Sequence, residues 1–184
     1  MKLKTLEYSL RDDIHVALRS AEATDAEAFI KFLKKLSADT HFFELQADEV
    51  NVDAKEMSNI IIKYEQNPNA VLMLIIHDGD IIGFSSIEPV SNAAKLKHRG
   101  VIKGGLLLHF LGYGIGRLSL NTTLKLAEKM DFEQYESELF SDNRRLIDMY
   151  SNMGFEEWGR VRRAYKIGGD YVDKLIMGKI IRNN

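Results

Sequence analysis

The chain has 184 residues, enough for one compact domain and short for two. At 45% hydrophobic and 28% charged it is not a largely disordered chain, and 25 Lys and Arg against 27 Asp and Glu leave a net charge of -2, so the surface as a whole does not recruit nucleic acid or anionic lipid. The lack of Cys excludes disulfides, thiolate metal sites and a cysteine nucleophile.

The first residues, "MKLKTLEYSLRDD", carry charges where a signal peptide needs its apolar segment, and no apolar stretch approaches the roughly 18 residues of a membrane span. This predicts a cytoplasmic protein with no membrane partner. Ile14, Val16 and Leu18 alternate as a strand does. The period changes at Thr24, which with Glu27 matches a capping box, and Phe29, Ile30, Leu33 and Leu36 supply a helical stripe. A second helix follows Asp53, with Met57, Ile60, Ile61 and Tyr64 on one side, and stops at "NPN", residues 67–69.

"AVLMLIIHDGDIIGFSSIEP" reads as two strands joined by a tight turn at Asp78 and Gly79, both of which tolerate positive φ. A polar connection leads to a strand, "GVIKGGLLLHF", then to the turn "LGYGIG", then to a helix from about Ile115 to Met130 with Ile115, Leu118, Thr122 and Leu126 on one face. "YESELF" is a short strand. "SDNRRLIDMYSNMG" is a helix capped by Ser141 or Asp142 and stopped by Gly154, and the chain closes as two strands around "IGGD", residues 167–170. About seven strands and four helices in this order predict an α/β single domain over residues 1–184, its core at about 12–181, with a mixed, mostly antiparallel sheet.

The glycines of the turn, Gly112, Gly114 and Gly116, alternate. This is neither the G-x-G-x-x-G of a dinucleotide fold nor a Walker loop. Two readings stay open on these residues: a plain strand-to-helix turn, or an anion site in which bare main-chain N–H groups at a helix start meet phosphate oxygens.

The glycine turn followed by "SDNRRLIDMYSNMGFEEWGRVRRAYKIGGDYVDKLIMGKII" resembles the GCN5-related N-acetyltransferase (GNAT) superfamily, particularly its ribosomal-protein and small-amine branch. The resemblance implies acetyl-CoA as co-substrate, with its pyrophosphate held by Leu111, Gly112, Tyr113, Gly114, Ile115, Gly116 and Arg117. Backbone around Leu106 and Leu108 would contact the pantetheine arm, where the strand before the turn splays from its neighbour, the fifth strand of the seven. It also implies that Asn143 contacts the cofactor and that Tyr150 lies near the thioester sulfur. A phenol with pKa about 10 keeps its proton at neutral pH and can pass it to a leaving thiolate. From the residues alone, Tyr150 can equally be core in a stripe with Leu146 and Met153, and Asn143 a capping residue. The implied reaction is direct acetyl transfer to a primary amine of a small molecule or protein, in a family whose members often form homodimers.

Two positions depart from the family pattern. Leu111 stands where Arg or Gln is usual, which removes a side chain but no main-chain donor. Val101 stands where many relatives carry a Glu that helps deprotonate the amine. An alkylammonium with pKa about 10.4 is neutral only in a few parts per ten thousand at pH 7, a deficit of roughly 4 to 5 kcal/mol. Glu88 and His109 are candidate bases in its place; a CoA-binding sensor that has lost catalysis is the alternative. The five His, at 15, 41, 77, 98 and 109, lack the close spacing of helix-borne metal ligands, so no metal is expected. In "GRVRRAYK", strand alternation sends Arg163 to the face opposite Arg160 and Arg162, which argues against a nucleic-acid stripe. The segment "THFFELQADEV", residues 40–50, is either an acidic loop with Phe42 or Phe43 packed inward or, as in relatives, a cover over the acceptor.

Overall fold

The computed structural model describes residues 2–181. In chain order it has β1 (Leu6–Ser9), β2 (His15–Ser20), α1 (Ala26–Asp39), α2 (Ala54–Gln66), β3 (Val71–His77), β4 (Asp80–Pro89), β5 (Arg99–Leu106), α3 (Ile115–Ala127), β6 (Gln134–Phe140), α4 (Arg144–Ser151), β7 (Glu156–Ile167) and β8 (Asp170–Ile180). The strands form one sheet in the order β1-β2-β3-β4-β5-β6-β8-β7. Pairing is parallel between β5 and β6 and antiparallel along β1-β2-β3-β4 and β6-β8-β7, so the fold is α/β with a mixed, mostly antiparallel sheet. The strand beyond the expected seven is β1, four residues long, which pairs Leu6 with Leu18 and Tyr8 with Val16. Among the described residues no helix is long and apolar enough to cross a membrane.

The chain packs as two compact units, residues up to 88 with 104–130, and 89–103 with the residues from 131 onward. In the first, β3 reads "VLMLIIH" because both of its faces are buried. Leu72 and Leu74 meet Phe29, Phe32 and Leu36 of α1 and Met57 and Ile61 of α2. Met73 and Ile75 meet Val16, Leu18, Ile82 and Ile115 on the other side. Each such side chain contributes about 1.5–3 kcal/mol by leaving water.

Asp53 caps α2 in a capping box with Glu56, and the helix stops at Asn67 as expected. The β3–β4 turn takes φ of 50° at Asp78 and 86° at Gly79. The expected box at Thr24 and Glu27 is not formed; Glu22 and Asp25 make it instead, in a 3-10 turn over Ala23–Asp25. Arg19 explains the offset, since it grips the Asp25 carboxylate with two bonds of 2.7 Å and fixes where the chain turns. The helix expected to reach Met130 ends at Ala127, and Lys129 and Met130 close back onto Leu126 and Ala127 in a tighter turn.

In the second unit α4 is capped by Asn143, whose side chain accepts from Leu146 N–H, and not by Ser141 or Asp142. Gly154, at φ 82°, ends the α4 segment, and Gly168 and Gly169 turn β7 into β8 at 56° and 99°. The alternation expected along "GRVRRAYK" is broken. Register shifts between Val161 and Tyr165, and Arg163 sits at φ 53° with its N–H on Asp173 and its guanidinium over the Tyr171 ring. Arg160 is paired with Glu157 and Asp173. Bulges of this kind blunt an edge strand.

The indole of Trp158 lies directly on Gly178, where any Cβ would overlap it. Gly178→Ala should therefore expel the indole and destabilise the chain by about 1–3 kcal/mol. Trp158 is the single Trp, so a red shift of intrinsic fluorescence together with a lower Tm checks this, and an unchanged spectrum would refute it.

Candidate active site

Strand β5 ends earlier than the sequence suggests. Leu107 N–H still donates to Ile82 carbonyl, but the chain then enters a 3-10 turn over Leu108–Phe110. Leu106 is therefore the last strand residue and, like Tyr113 and Leu118, packs against the cluster that holds Ile115, whereas Leu108 lies on the turn, exposed. Two glycines then reverse the chain, Gly112 at φ 103° and Gly114 at 86°. An L side chain at either would be strained by about 1–3 kcal/mol. Gly116 is already inside α3.

The first N–H groups of a helix have no intrahelical carbonyl to meet. In α3 the turn-closing bond is Leu118 N–H to Gly114 carbonyl, and Gly114, the N-cap, has no side chain to satisfy the groups before it. A Cβ built at Gly114 meets nothing within 4 Å, so the space over the turn is open. Tyr113 is half-buried, Ile115 is fully buried and anchors the helix, and Arg117 projects into solvent from the first turn. Leu111 is 37% exposed and offers no polar group. The surroundings suit the oxygens of a pyrophosphate, met by main-chain N–H and the positive end of the α3 dipole.

In the second unit the ladder between β5 and β6 pairs Arg99, Gly100 and Val101 with Gln134, Tyr135 and Glu136. Just beyond it the Ser137 hydroxyl bonds both the Ile102 carbonyl, at 3.0 Å, and the phenol oxygen of Tyr150, at 3.1 Å. Tyr150 is buried and meets Phe155 edge-on. Burial pushes its phenol up to about 12, with the Ser137 bond pulling the other way, so at neutral pH it is a proton donor. Ser137 escaped sequence reasoning because nothing local links residues 13 apart. Asn143 uses its carbonyl oxygen as the α4 cap, 3.2 Å from Leu146 nitrogen.

Val101 leaves no carboxylate at its position. Its partner across the ladder, Glu136, is clamped by Arg99 in bonds of 2.5 and 2.7 Å. The Arg99 bonds hold the Glu136 carboxyl below the usual carboxylate range, so it is a poor base. His109 lies exposed on the 3-10 turn, edge-on to Phe110. Glu88, in the first unit, is half-buried and accepts from the Tyr64 phenol at 2.8 Å, a link that spans 24 residues and left no mark in the sequence. In the loop after α1, Phe43 packs against the α1–α2 core, the inward packing weighed for it. Among the described residues no three His, Cys, Asp or Glu are grouped as a metal would need.

The family pattern described as the acetyltransferase (GNAT) domain matches residues 18–176. Among solved structures the chain is similar to an acetyltransferase of the GNAT family from Streptococcus pneumoniae, at 24% identity over 90% of this chain and 99% of that one, with a TM-score of 0.86. It is also similar to a ribosomal-protein-alanine N-acetyltransferase from Brucella melitensis, at 20% identity over 89% and 99%, TM-score 0.77. A third is yncA from Salmonella typhimurium, solved with its cofactor acetyl-CoA, at 14% identity over 92% and 95%, TM-score 0.80. At these identities the likeness establishes the fold. No curated protein matches the chain.

The Tyr150 phenol ties stability to alkaline pH. Its pKa rises from 10.0 to about 12 on folding, so its contribution is full below pH 10 and is lost as pH climbs through about 12. Denaturant midpoints measured from pH 9 to 12 should fall less steeply for Tyr150→Phe than for the parent chain; parallel curves would place the phenol in water.

Proposed function

Because the chain belongs to the GNAT acetyltransferase family, whose co-substrate is acetyl-CoA, we propose that it moves the acetyl group of acetyl-CoA directly onto a primary amine of a small molecule or a protein. The observation that carries this is the pair of positive-φ glycines opening the start of α3 under unobstructed space. Main-chain N–H groups from Gly112 to Arg117 would hold the pyrophosphate, and backbone near Leu106 and Leu108 the pantetheine arm. The carbonyl oxygen of Asn143 is engaged in the α4 cap, which leaves its amide N–H for the cofactor.

Acetyl-CoA supplies an activated acyl group, and the protein supplies position and proton management. The attacking nitrogen forms a C–N bond as the C–S bond breaks, and Tyr150 gives its proton to the departing thiolate. Burial of the phenol keeps that proton in place until the thiolate, a stronger base than a ground-state thioester, develops. No covalent enzyme intermediate is required. Without a polar side chain at Leu111, affinity rests on main-chain donors, each dipole contribution being about 0.3–1 kcal/mol at an exposed site.

Calorimetric titration with acetyl-CoA, paired with CoA release across an amine panel, tests the reading. Binding with turnover on at least one amine supports it; binding with none on any amine identifies a CoA sensor instead. Tyr150→Phe should lower kcat by about 10²-fold or more and leave acetyl-CoA affinity nearly intact; an unchanged kcat would return Tyr150 to the core. Gly114→Val should weaken acetyl-CoA binding about tenfold or more through its forbidden φ and the side chain set over the turn. Undiminished affinity would remove the turn from the site.

A further inference from the structure

The loop between α1 and α2 has a lopsided charge. Between residues 44 and 56 stand Glu44, Asp48, Glu49, Asp53 and Glu56 against Lys55 alone. The same loop is tied down along its length. The Ser37 hydroxyl of α1 donates to the Leu45 carbonyl, the Glu49 carboxylate accepts the Gln46 N–H while Glu49 N–H returns to the Gln46 carbonyl, and Asp53 and Glu56 close the box that starts α2.

Within the first unit this loop and the two helices enclose a cavity of about 390 Å³, inside the range of about 300–1,000 Å³ usual for small-molecule sites. Its apolar wall includes Leu33 of α1, Met57 and Ile60 of α2, and Phe43, Leu45 and Val50 of the loop. Val50 and Met57 are buried, whereas Leu45 and Ile60 are 46% and 40% exposed, so apolar surface is left for something to cover. Glu49, Asn51 and Glu56, all exposed, supply the polar lining. No Lys, Arg or His lines the cavity, and Lys31, Lys34 and Lys35 of α1 are not part of it.

We propose that this cavity binds a small apolar ammonium, with an alkyl chain or ring against Leu33, Leu45, Met57 and Ile60 and the charged nitrogen at Glu49 and Glu56. The site is independent of the acetyltransferase reading. Each of the two carboxylates takes one main-chain N–H, Gln46 at 2.8 Å and Asp53 at 3.3 Å, and among the described residues neither is paired with a cation. An anionic ligand would meet their repulsion. A neutral one would cover the aliphatic wall but remove water from two charges without replacing it. A second copy of the chain, docked symmetrically on this face, would bring Glu49 and Glu56 against their own counterparts. An ammonium on an apolar body satisfies wall and rim together.

Phenylpropylamine, an ammonium at neutral pH, tests this in the absence of acetyl-CoA. It should bind with a Kd of about a millimolar or tighter and shift the NMR methyl signals of Leu45, Val50, Met57 and Ile60. Phenylpropanol, which keeps the body and loses the charge, and methylammonium, which keeps the charge and loses the body, should each bind about fivefold more weakly or worse. Glu49→Gln combined with Glu56→Gln should bring the amine to within about twofold of the alcohol. Its Tm should hold, because glutamine at 56 still accepts the Asp53 N–H in the capping box. Ile60→Gln should weaken amine and alcohol alike, by about threefold or more. Equal affinity of the parent chain for amine and alcohol, or shifts confined to other methyl groups, overturns the assignment. So does an acetylated Leu-Lys-Leu peptide amide that binds more than about tenfold tighter than the amine, which would mark a protein partner. Should the double variant fail to fold, Glu49→Gln alone, outside the helix, carries the charge comparison. Because acetyl-CoA is absent, failure here leaves the acetyltransferase reading standing, and a chain that acetylates nothing leaves this site standing.

Discussion

The end of β5 and the start of α3 have to meet within a few residues, and the left-handed backbone at Gly112 and Gly114 is what lets them. Leu107 is still bonded to Ile82 in β4, while Ile115, eight residues on, is fully buried against Val16, Leu18, Met73 and Ile75. Both ends of the turn are therefore pinned to the same unit. Any residue with a Cβ at these positions would either be strained or lengthen the loop. The first N–H groups of α3, which have no intrahelical carbonyl to meet, are a by-product of this geometry.

That platform is stiffened by polar groups inside α3 that all find partners. Ser119 and Thr122 donate back to Gly116 and Leu118 carbonyls, and Thr123, with no exposure, bonds Ser85. A helix start intended to hold phosphates cannot drift, because its N–H groups act together only at fixed spacing. Each unit also holds a phenol with a raised pKa. Tyr150 is bonded to a hydroxyl and Tyr64 to a carboxylate, and both have pKa values raised chiefly by burial. Each therefore keeps its proton at neutral pH.

Much of the fold was legible because its signals are local. The Asp78–Gly79 turn, the Asp53 cap, the "IGGD" turn and the stripes of α1 and α2 each depend on residues within a few positions of one another. What the sequence misplaced depends on distant partners. Thr24 matched a capping pattern as well as Glu22 does, and only Arg19 gripping Asp25 decides between them. The α4 cap falls on Asn143, for which a capping role was one of the two readings, and not on Ser141 or Asp142. Arg163 escapes strand alternation because Asp173, ten residues along, takes its N–H at a bulge. The Tyr150–Ser137 and Tyr64–Glu88 bonds, which join residues 13 and 24 apart, had no local signature at all.

The same distinction bears on how a chain so divergent from its structural relatives keeps their fold. A phosphate cradle made of main-chain N–H groups asks only that certain residues lack a Cβ and that the following helix be anchored. Glycine at 112 and 114 and an apolar plug at Ile115 meet both demands. Side chains around them carry less of the demand, and Leu111 offers no polar group there. Acceptor chemistry is different in kind. A base has to be a side chain at a definite place, and Val101 supplies none at its own. A main-chain cradle is thus a matter of conformation, whereas acid–base chemistry is a matter of which side chain stands at one position.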